Sequence, residues 1–344
     1  MINVLIVNDS IIVQQLLKRT VHADPDSNII GIAKDGLEAI ELVRKENPDV
    51  VLMDISMPRC DGVQATRQII ATQPCCILLV TATIKLHMSQ IFNSLGYGVL
   101  EVIKTPASAR EEIELIKRIK IADALKPAIK TRAKSIRFEP IPPDIIVSPA
   151  NKNGSVESAR RIVVIGASTG GPNTILQILK GMPKKLNAGM IIVQHIDADF
   201  AQGVVECFNL SSPIEVMCAR SGEQIKNNKA YMVVGNQDLV VHHGPIMAYQ
   251  PFTPNAIYTP TIDVTMNSIA RMYGSKAIGV ILTGMGSDGA KGLMAIRKAG
   301  GRTIAQDETT SLIYGMPKAA VELQAAEFIL PSHEIAGQII KLLQ

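Results

Sequence analysis

At 344 residues the chain is long enough for two domains with a core each, and 47% hydrophobic with 19% charged residues is the balance of a soluble, folded protein. Aromatics are only 3%, so the cores must be aliphatic, as in parallel sheets buried on both faces, and no apolar run approaches the roughly 18–20 residues that span a bilayer. The net charge of +4 is carried by one stretch, Lys117–Arg137, with eight basic residues against the single acid Asp123, and no interleaved aromatics or recognition helix mark it as nucleic-acid binding.

The opening Met1-Ile2-Asn3-Val4-Leu5-Ile6-Val7 has no basic leader and no small-residue cleavage site, so it reads as a first strand of a cytoplasmic protein without membrane insertion. Apolar runs then recur at Ile29–Ala33, Val50–Met53, Ile77–Val80 and Val99–Ile103, with helical patterns such as Ile11–Ala23 and Leu37–Glu46 between them. Alternation of this kind predicts an α/β domain over residues 1–122, a parallel sheet covered by helices on both faces. Its chemistry-bearing residues fall where those strands end. Asp9 follows the first, Asp54 the third, Thr81 the fourth and Lys104 the fifth, and ligands of open parallel sheets bind at the carboxyl ends of strands. An aspartate can accept a phosphoryl group, a hard divalent cation can neutralise the incoming oxygens, and a hydroxyl with an ammonium can sense the added charge.

The run Asp54-Ile55-Ser56-Met57-Pro58-Arg59-Cys60-Asp61-Gly62 resembles the signature of response-regulator receiver domains, and the strand-end residues follow the receiver order. The resemblance implies a flavodoxin-like fold, Asp54 as phosphoacceptor, Asp9 and Asp54 as Mg²⁺ ligands, and Thr81 and Lys104 as switch residues. Two features depart from it. Asn8-Asp9 replaces the usual acidic pair, which should weaken Mg²⁺ binding. Lys104-Thr105-Pro106 replaces Lys-Pro, so either Lys104 or Thr105 fills the lysine position.

Residues 123–158 lose periodicity and are punctuated by Pro127, Pro140, Pro142, Pro143 and Pro149, then by Asn151-Lys152-Asn153-Gly154-Ser155. They read as an interdomain linker, helical at its start and extended beyond. The five cysteines, Cys60, Cys75, Cys76, Cys207 and Cys218, lack metal-ligand spacing and read as reduced thiols.

Over residues 159–344 a second alternating series predicts another doubly wound domain, Rossmann-like, with strands at Ile162–Ile165, Met190–Val193, Ala230–Val234, Ala277–Leu282, Thr303–Ala305 and Phe328–Leu330. Helical stretches include Thr174–Gly181, Val264–Tyr273, Ala290–Ala299 and Lys318–Gln324. Gly166-Ala167-Ser168-Thr169-Gly170 is a G-x-S-x-G turn between strand and helix, a geometry that exposes a hydroxyl beside backbone N–H donors. His195 ends the next strong strand, and Asp288 follows the strand Ala277–Leu282. The three lie 27 and 93 residues apart, yet strand-end positions of this kind could bring them together at one sheet rim. A serine hydroxyl needs a base to take its proton, and that base needs a carboxylate to set its tautomer.

The order Ser…His…Asp is similar to that of the glutamate methylesterases of bacterial chemosensory systems, whose catalytic domain follows a receiver. The motifs Gly166–Gly171, Val193-Gln194-His195, Tyr258–Val264, Leu282–Ala290 and Gly315-Met316-Pro317 carry the likeness. It implies a triad of Ser168, His195 and Asp288, with an oxyanion held by the backbone N–H groups of Thr169 and Met285. The implied reaction is hydrolysis of glutamyl methyl esters, and deamidation of glutamines, on methyl-accepting chemoreceptors, with no cofactor for the esterase. A chemosensory histidine kinase would be the phosphodonor, and the unphosphorylated receiver would restrict access to Ser168. Ile196-Asp197-Ala198-Asp199-Phe200 and Thr259-Pro260-Thr261 depart from the family pattern and are expected to border the substrate groove. Asn8-Asp9 and the stretch from Pro74 to Thr83 are similar to a branch serving surface-sensing pathways that control a diguanylate cyclase.

Gly284-Met285-Gly286-Ser287-Asp288-Gly289 is also a G-x-G-x-x-G, with Asp307 and Glu308 about 20 residues on. A nicotinamide enzyme is disfavoured because Asp288 would put a carboxylate where pyrophosphate must sit. A non-catalytic receptor-binding regulator would have no use for all three triad residues, and a DNA-binding regulator would need a helix-turn-helix that is absent from the sequence pattern. His242, His243 and His333 read as surface or loop residues, and Met266 and Met272 as core filler.

Overall fold

The computed structural model describes residues 1–82, 99–132, 157–196, 198–235, 237–251 and 259–344. Thr83, Asp197, Tyr258 and linker residues 133–156, all singled out from the sequence, lie outside the described residues. The chain divides into two compact units, Met1–Pro142 and Pro143–Gln344.

In the first unit the strands are β1 (Ile2–Val7), β2 (Ser27–Ala33), β3 (Val50–Met53), β4 (Cys76–Thr81) and β5 (Glu101–Lys104). They form one parallel sheet in the order β2-β1-β3-β4-β5. Strands β3 and β4 are buried at every position, which is why they read as unbroken apolar runs. Helices α1 (Ile11–His22), α2 (Gly36–Glu46), α3 (Gly62–Thr72) and α4 (Ala109–Arg132) complete the unit among the described residues. Asp35 caps α2 by accepting the Leu37 and Glu38 N–H groups, and Asp61 caps α3 through Gln64 N–H. The last helix runs ten residues past 122 into the proline-punctuated segment, with Pro127 inside it.

In the second unit a seven-stranded parallel sheet has the order β14-β13-β12-β6-β7-β9-β8. Its strands are β6 (Ile162–Ala167), β7 (Gly189–Gln194), β8 (Glu215–Cys218), β9 (Lys229–Met232), β12 (Ala277–Ile281), β13 (Arg302–Gln306) and β14 (Phe328–Leu330). The antiparallel hairpin β10 (Gln237–His242) and β11 (Ile246–Pro251) stands apart from that sheet. The helices are α5 (Gly171–Lys180), α6 (Ala198–Ser211), α7 (Ile262–Tyr273), α8 (Ala290–Lys298), α9 (Met316–Glu322) and α10 (Ser332–Leu343). Helix α7 buries Ile262, Met266, Ile269, Ala270 and Tyr273, an apolar stripe at helical spacing. Met266 is thus core, as its setting in the sequence suggests, and all five cysteines are free thiols.

Both sheets share one topological feature. In the first, the chain winds outward from β1 to β2 and then resumes on the other side at β3. In the second it runs from β6 through β7 toward the β8 edge, then returns to β12 on the opposite flank of β6. Such switch points open a crevice at the carboxyl ends of the central strands. No described helix is long and apolar enough to cross a membrane.

The β3–α3 turn is sterically tight where the sequence places Gly62. A Cβ there would lie 2.0 Å from the Asp54 carbonyl oxygen and 2.9 Å from its carbonyl carbon, and backbone cannot yield as a side chain can. Gly62→Ala is therefore expected to destabilise the first unit by about 2–3 kcal/mol, in the range of overpacking. Hydrogen exchange of the full chain should show faster opening in peptides covering β3 and α3; protection equal to wild type there would contradict the steric account.

Candidate active site

The crevice of the second unit is built from three strand ends. Ser168 directly follows β6, His195 directly follows β7, and Asp288 lies in the turn between β12 and α8. The main chain stitches them in place. His195 N–H donates to the Ala167 carbonyl at 3.0 Å, and Ser168 N–H donates to the Thr283 carbonyl at 3.1 Å. Ser168 and His195 are buried, at 3% and 9% exposure, so a nucleophile–base pair here would work largely out of water.

His195 Nε2 and Asp288 Oδ2 are 2.8 Å apart, joining residues 93 positions apart in sequence. A carboxylate accepts and does not donate, so the imidazole carries a proton on Nε2, and in the neutral ring the buried Nδ1 is the acceptor. The Asp288 carboxylate is itself anchored at the start of α7. Oδ2 accepts Ile262 N–H at 2.8 Å and Oδ1 accepts Asp263 N–H at 3.0 Å. Burial alone would push the Asp288 carboxyl up. The His195 contact and the two main-chain N–H groups outweigh it and hold the group below its ordinary value of 3.8. Asp263 moves the other way: burial and the neighbouring Asp288 charge push it up, although Gly292 N–H donates to its Oδ1 at 2.6 Å.

The turn after β12 is equally constrained. The Gly284 carbonyl accepts N–H groups from Gly315 (3.2 Å) and Met316 (2.9 Å), and Gly286 has φ of 85° in the left-handed region. That fixes the peptide carrying Met285, whose side chain is exposed. Thr169 is buried, and its carbonyl accepts Thr283 Oγ1–H at 3.0 Å. The same turn matches a dinucleotide pattern, but its Asp288 carboxylate is committed to His195 and α7.

Three residues of this site carried no assigned role in the sequence reading. Asp238, fully buried on β10, accepts Thr261 N–H at 2.7 Å just ahead of α7; an acid in the apolar stretch Leu239-Val240-Val241 was its only signal. Asp263 lay inside a motif that resembled the family without a function attached. Gln194 was visible only as the neighbour of His195.

In the first unit, Asp9 follows β1, Asp54 follows β3, Thr81 ends β4 and Lys104 ends β5, so the four positions share one edge of adjacent strands. Thr81 and Lys104 are paired in register, and Thr105 N–H donates to the Thr81 carbonyl at 3.0 Å just beyond. Asp54 is half-buried; its Oδ1 accepts the N–H of Ile55 at 2.7 Å, and its Oδ2 accepts Asn8 Nδ2–H at 3.0 Å. Asn8 is buried, and its Oδ1 accepts Ser10 N–H at 2.8 Å. The amide therefore turns its nitrogen, not its oxygen, toward the carboxylate. Asp9, exposed, and Asp54 supply two carboxylates, the number Mg²⁺ commonly takes alongside phosphate oxygens. Among the described residues no group of three or more His, Cys, Asp or Glu side chains gathers to hold a metal.

The CheB methylesterase family matches residues 163–339, and the response regulator receiver domain family matches residues 4–119. A protein-glutamate methylesterase/protein-glutamine glutaminase 1 of Pseudomonas fluorescens (strain Pf0-1) is 36% identical over 337 residues, covering 98% of each chain. A protein-glutamate methylesterase/protein-glutamine glutaminase 2 of Burkholderia pseudomallei (strain 1710b) is 37% identical over 347 residues, covering 99% of this chain and 98% of its own. The crystal structure of the Thermotoga maritima CheB methylesterase catalytic domain is 34% identical with a TM-score of 0.51, covering 53% of this chain and 98% of that one. Two domain families in this order, and full-length relatives at this identity, place the chain in the CheB family of receiver-linked protein-glutamate methylesterases.

Proposed function

We propose that the chain hydrolyses glutamyl methyl esters on chemoreceptors, releasing methanol, and deamidates receptor glutamines, under the control of phosphorylation at Asp54. The observation that carries this reading is the 2.8 Å pairing of His195 with Asp288 at the rim where Ser168 leaves β6. On this reading residues 1–122 form the receiver, 123–158 the linker and 159–344 the catalytic domain.

The chemistry follows from the groups present. Ser168 Oγ attacks the ester carbonyl while His195 Nδ1 takes its proton, and Asp288 stabilises the imidazolium through Nε2. This is the opposite nitrogen usage from the familiar serine-protease triad, in which the carboxylate holds Nδ1. The tetrahedral oxyanion is received by the Thr169 and Met285 N–H groups. His195 returns the proton to the departing methoxide, methanol leaves, and water repeats the sequence on the acyl-serine to give glutamate and free Ser168. A glutamine side chain passes through the same acyl-enzyme with ammonia as the leaving group, so one site accounts for both activities.

At the receiver, Asp9 and Asp54 would hold Mg²⁺, whose charge offsets that of the transferred phosphoryl group. Thr81 and Lys104, paired at one edge, would read the phosphorylated state. A chemosensory histidine kinase supplies the phosphoryl group, the substrate is the cytoplasmic part of a chemoreceptor, and the enzyme works in the cytoplasm.

Methanol release from methylated receptor fragments tests the whole reading. Ser168→Ala should lower the rate by about a thousandfold or more, as removal of a triad nucleophile does, and acetyl phosphate should raise the wild-type rate but not that of Asp54→Ala. Hydrolysis that survives in Ser168→Ala would refute the mechanism. Asp288→Asn should lower kcat by about 10²–10⁴-fold, because the amide no longer fixes the imidazole tautomer.

The Asp288 substitution should also change acid stability in a defined direction. The folded carboxyl lies below its ordinary value of 3.8, so its stabilisation is complete above that value and is lost as pH falls through the folded one. Urea titrations from pH 5 downward should therefore give a shallower decline for Asp288→Asn than for wild type; parallel declines would refute the assignment.

Restoring an acid at position 8 provides the receiver test. Asn8→Asp should lower the Mg²⁺ concentration that half-saturates acetyl-phosphate-dependent activation by on the order of tenfold, since hard cations favour charged oxygen ligands. An unchanged requirement would show that residue 8 does not face the metal.

A further inference from the structure

Gln194 closes β7 one residue before His195 and is buried at 2% exposure. Its Nε2 lies 2.9 Å from the Ser168 carbonyl oxygen and 3.0 Å from the His195 carbonyl oxygen. A side-chain amide has two hydrogens, and both are committed to these two carbonyls. The contacts also fix which way the amide points, because the reverse orientation would set Oε1 against two carbonyl oxygens. Ser168 O receives a further N–H, that of Gly171 at 2.8 Å.

Space for this amide is created on the opposite side by Gly171. A Cβ there would stand 2.2 Å from Gln194 Oε1 and 2.7 Å from the Ala167 Cβ. Oε1 is buried and has no hydrogen-bond partner among the described residues. A buried acceptor left unsatisfied is a cost that a methionine of similar length would avoid. The contacts that offset this cost are those of Nε2.

Because a peptide unit is planar, holding the Ser168 carbonyl also orients the Thr169 N–H, which points the opposite way. We infer that Gln194 is a positioning residue for the reaction: one amide group ties the nucleophile turn to the base turn and aims the Thr169 N–H at the oxyanion. The inference rests on the esterase reading above. Gln194 touches neither substrate nor reacting atoms on this account. It acts through the two main-chain segments that carry them.

The test uses the full-length protein with methylated receptor fragments and acetyl phosphate, comparing Gln194→Met, Gln194→Glu and Gly171→Ala with wild type. Loss of an oxyanion donor costs about 10²–10³-fold in kcat, so a donor left in place but misaimed should cost about 10–100-fold, with KM within about threefold of wild type. Gly171→Ala keeps the amide but presses on it from the helix side, and should lower kcat by a smaller factor. A kcat within twofold of wild type in both Gln194 variants, or a loss confined to KM, overturns the inference.

Should the Gln194 variants fail to fold, Gly171→Ala and a measurement on the wild type still decide. In the ¹⁵N-labelled full chain, the Gln194 side-chain amide should exchange with solvent at least about 100-fold more slowly than that of exposed Gln202, as expected for a buried, doubly bonded group. Fast exchange overturns the clamp whatever the chain hydrolyses. Slow exchange in a wild type that shows no Ser168-dependent methanol release sinks the esterase reading, and the positioning role of Gln194 with it.

Discussion

The candidate catalytic rim depends on a carboxylate held at a helix N-terminus. Asp288 accepts the N–H groups of Ile262 and Asp263 while bonding His195, so three groups from two other segments meet at one pair of oxygens. A helix start carries unsatisfied N–H donors and partial positive charge, which suits a buried anion. The arrangement removes a cost that would otherwise defeat it, since burial alone pushes this carboxyl toward its neutral form. A neutral acid there could not stabilise an imidazolium. The anion is thus kept charged by the His195 contact together with two main-chain N–H groups.

That solution transfers the burden of precision to α7, and much of the surrounding packing secures the helix. Its apolar stripe is buried in the core, and Ile262 sits where added side-chain atoms at Gly166 or Gly289 would collide with it, at 2.5 and 2.8 Å. On the other flank the β10–β11 hairpin is bonded to it three times. Asp238 takes Thr261 N–H, Leu239 O takes Thr265 Oγ1–H, and Ser268 Oγ takes Val241 N–H. The hairpin lies outside the seven-stranded sheet, yet it is hydrogen-bonded to the helix whose start cradles Asp288.

What could be read from sequence divides along the same lines. Strands β6, β7 and β12 are buried at every position, so they stand out as apolar runs, and their carboxyl ends identify Ser168, His195 and Asp288. The receiver rim was legible for the same reason. The hairpin was not, because β11 is exposed or half-buried at most positions and β10 hides an acid in its apolar stretch. Strand β8 is a four-residue edge with one buried side chain, too short to show a period. Helix α6 begins at Ala198, inside a segment expected to border the groove, and its buried face of Phe200, Val204 and Phe208 becomes apparent only with a neighbour to pack on. Gln194 and Asp263 were in view as letters of a motif, but their partners are main-chain groups, which no sequence pattern displays.

The glycine pattern that imitates a dinucleotide site can be understood from the strand order. In the sheet, β6 lies between β12 and β7, so the segment carrying Asp288 must pass over the end of the serine strand to reach a histidine on the far side. The glycines supply either the space or the backbone conformation that the path needs. A Cβ at Gly284 would lie 2.7 Å from Ser168 Cβ, Gly286 needs a φ of 85°, and Gly289 combines a φ of 89° with a Cβ position 2.4 Å from Ile281 Cδ1. In a dinucleotide fold, glycines make room for a ligand's pyrophosphate. Here they make room for the protein's own serine turn and for the carboxylate that crosses it, so a similar spacing serves a different closeness. The residue that separates the two cases is Asp288, an anion placed where a phosphate site would have to exclude one.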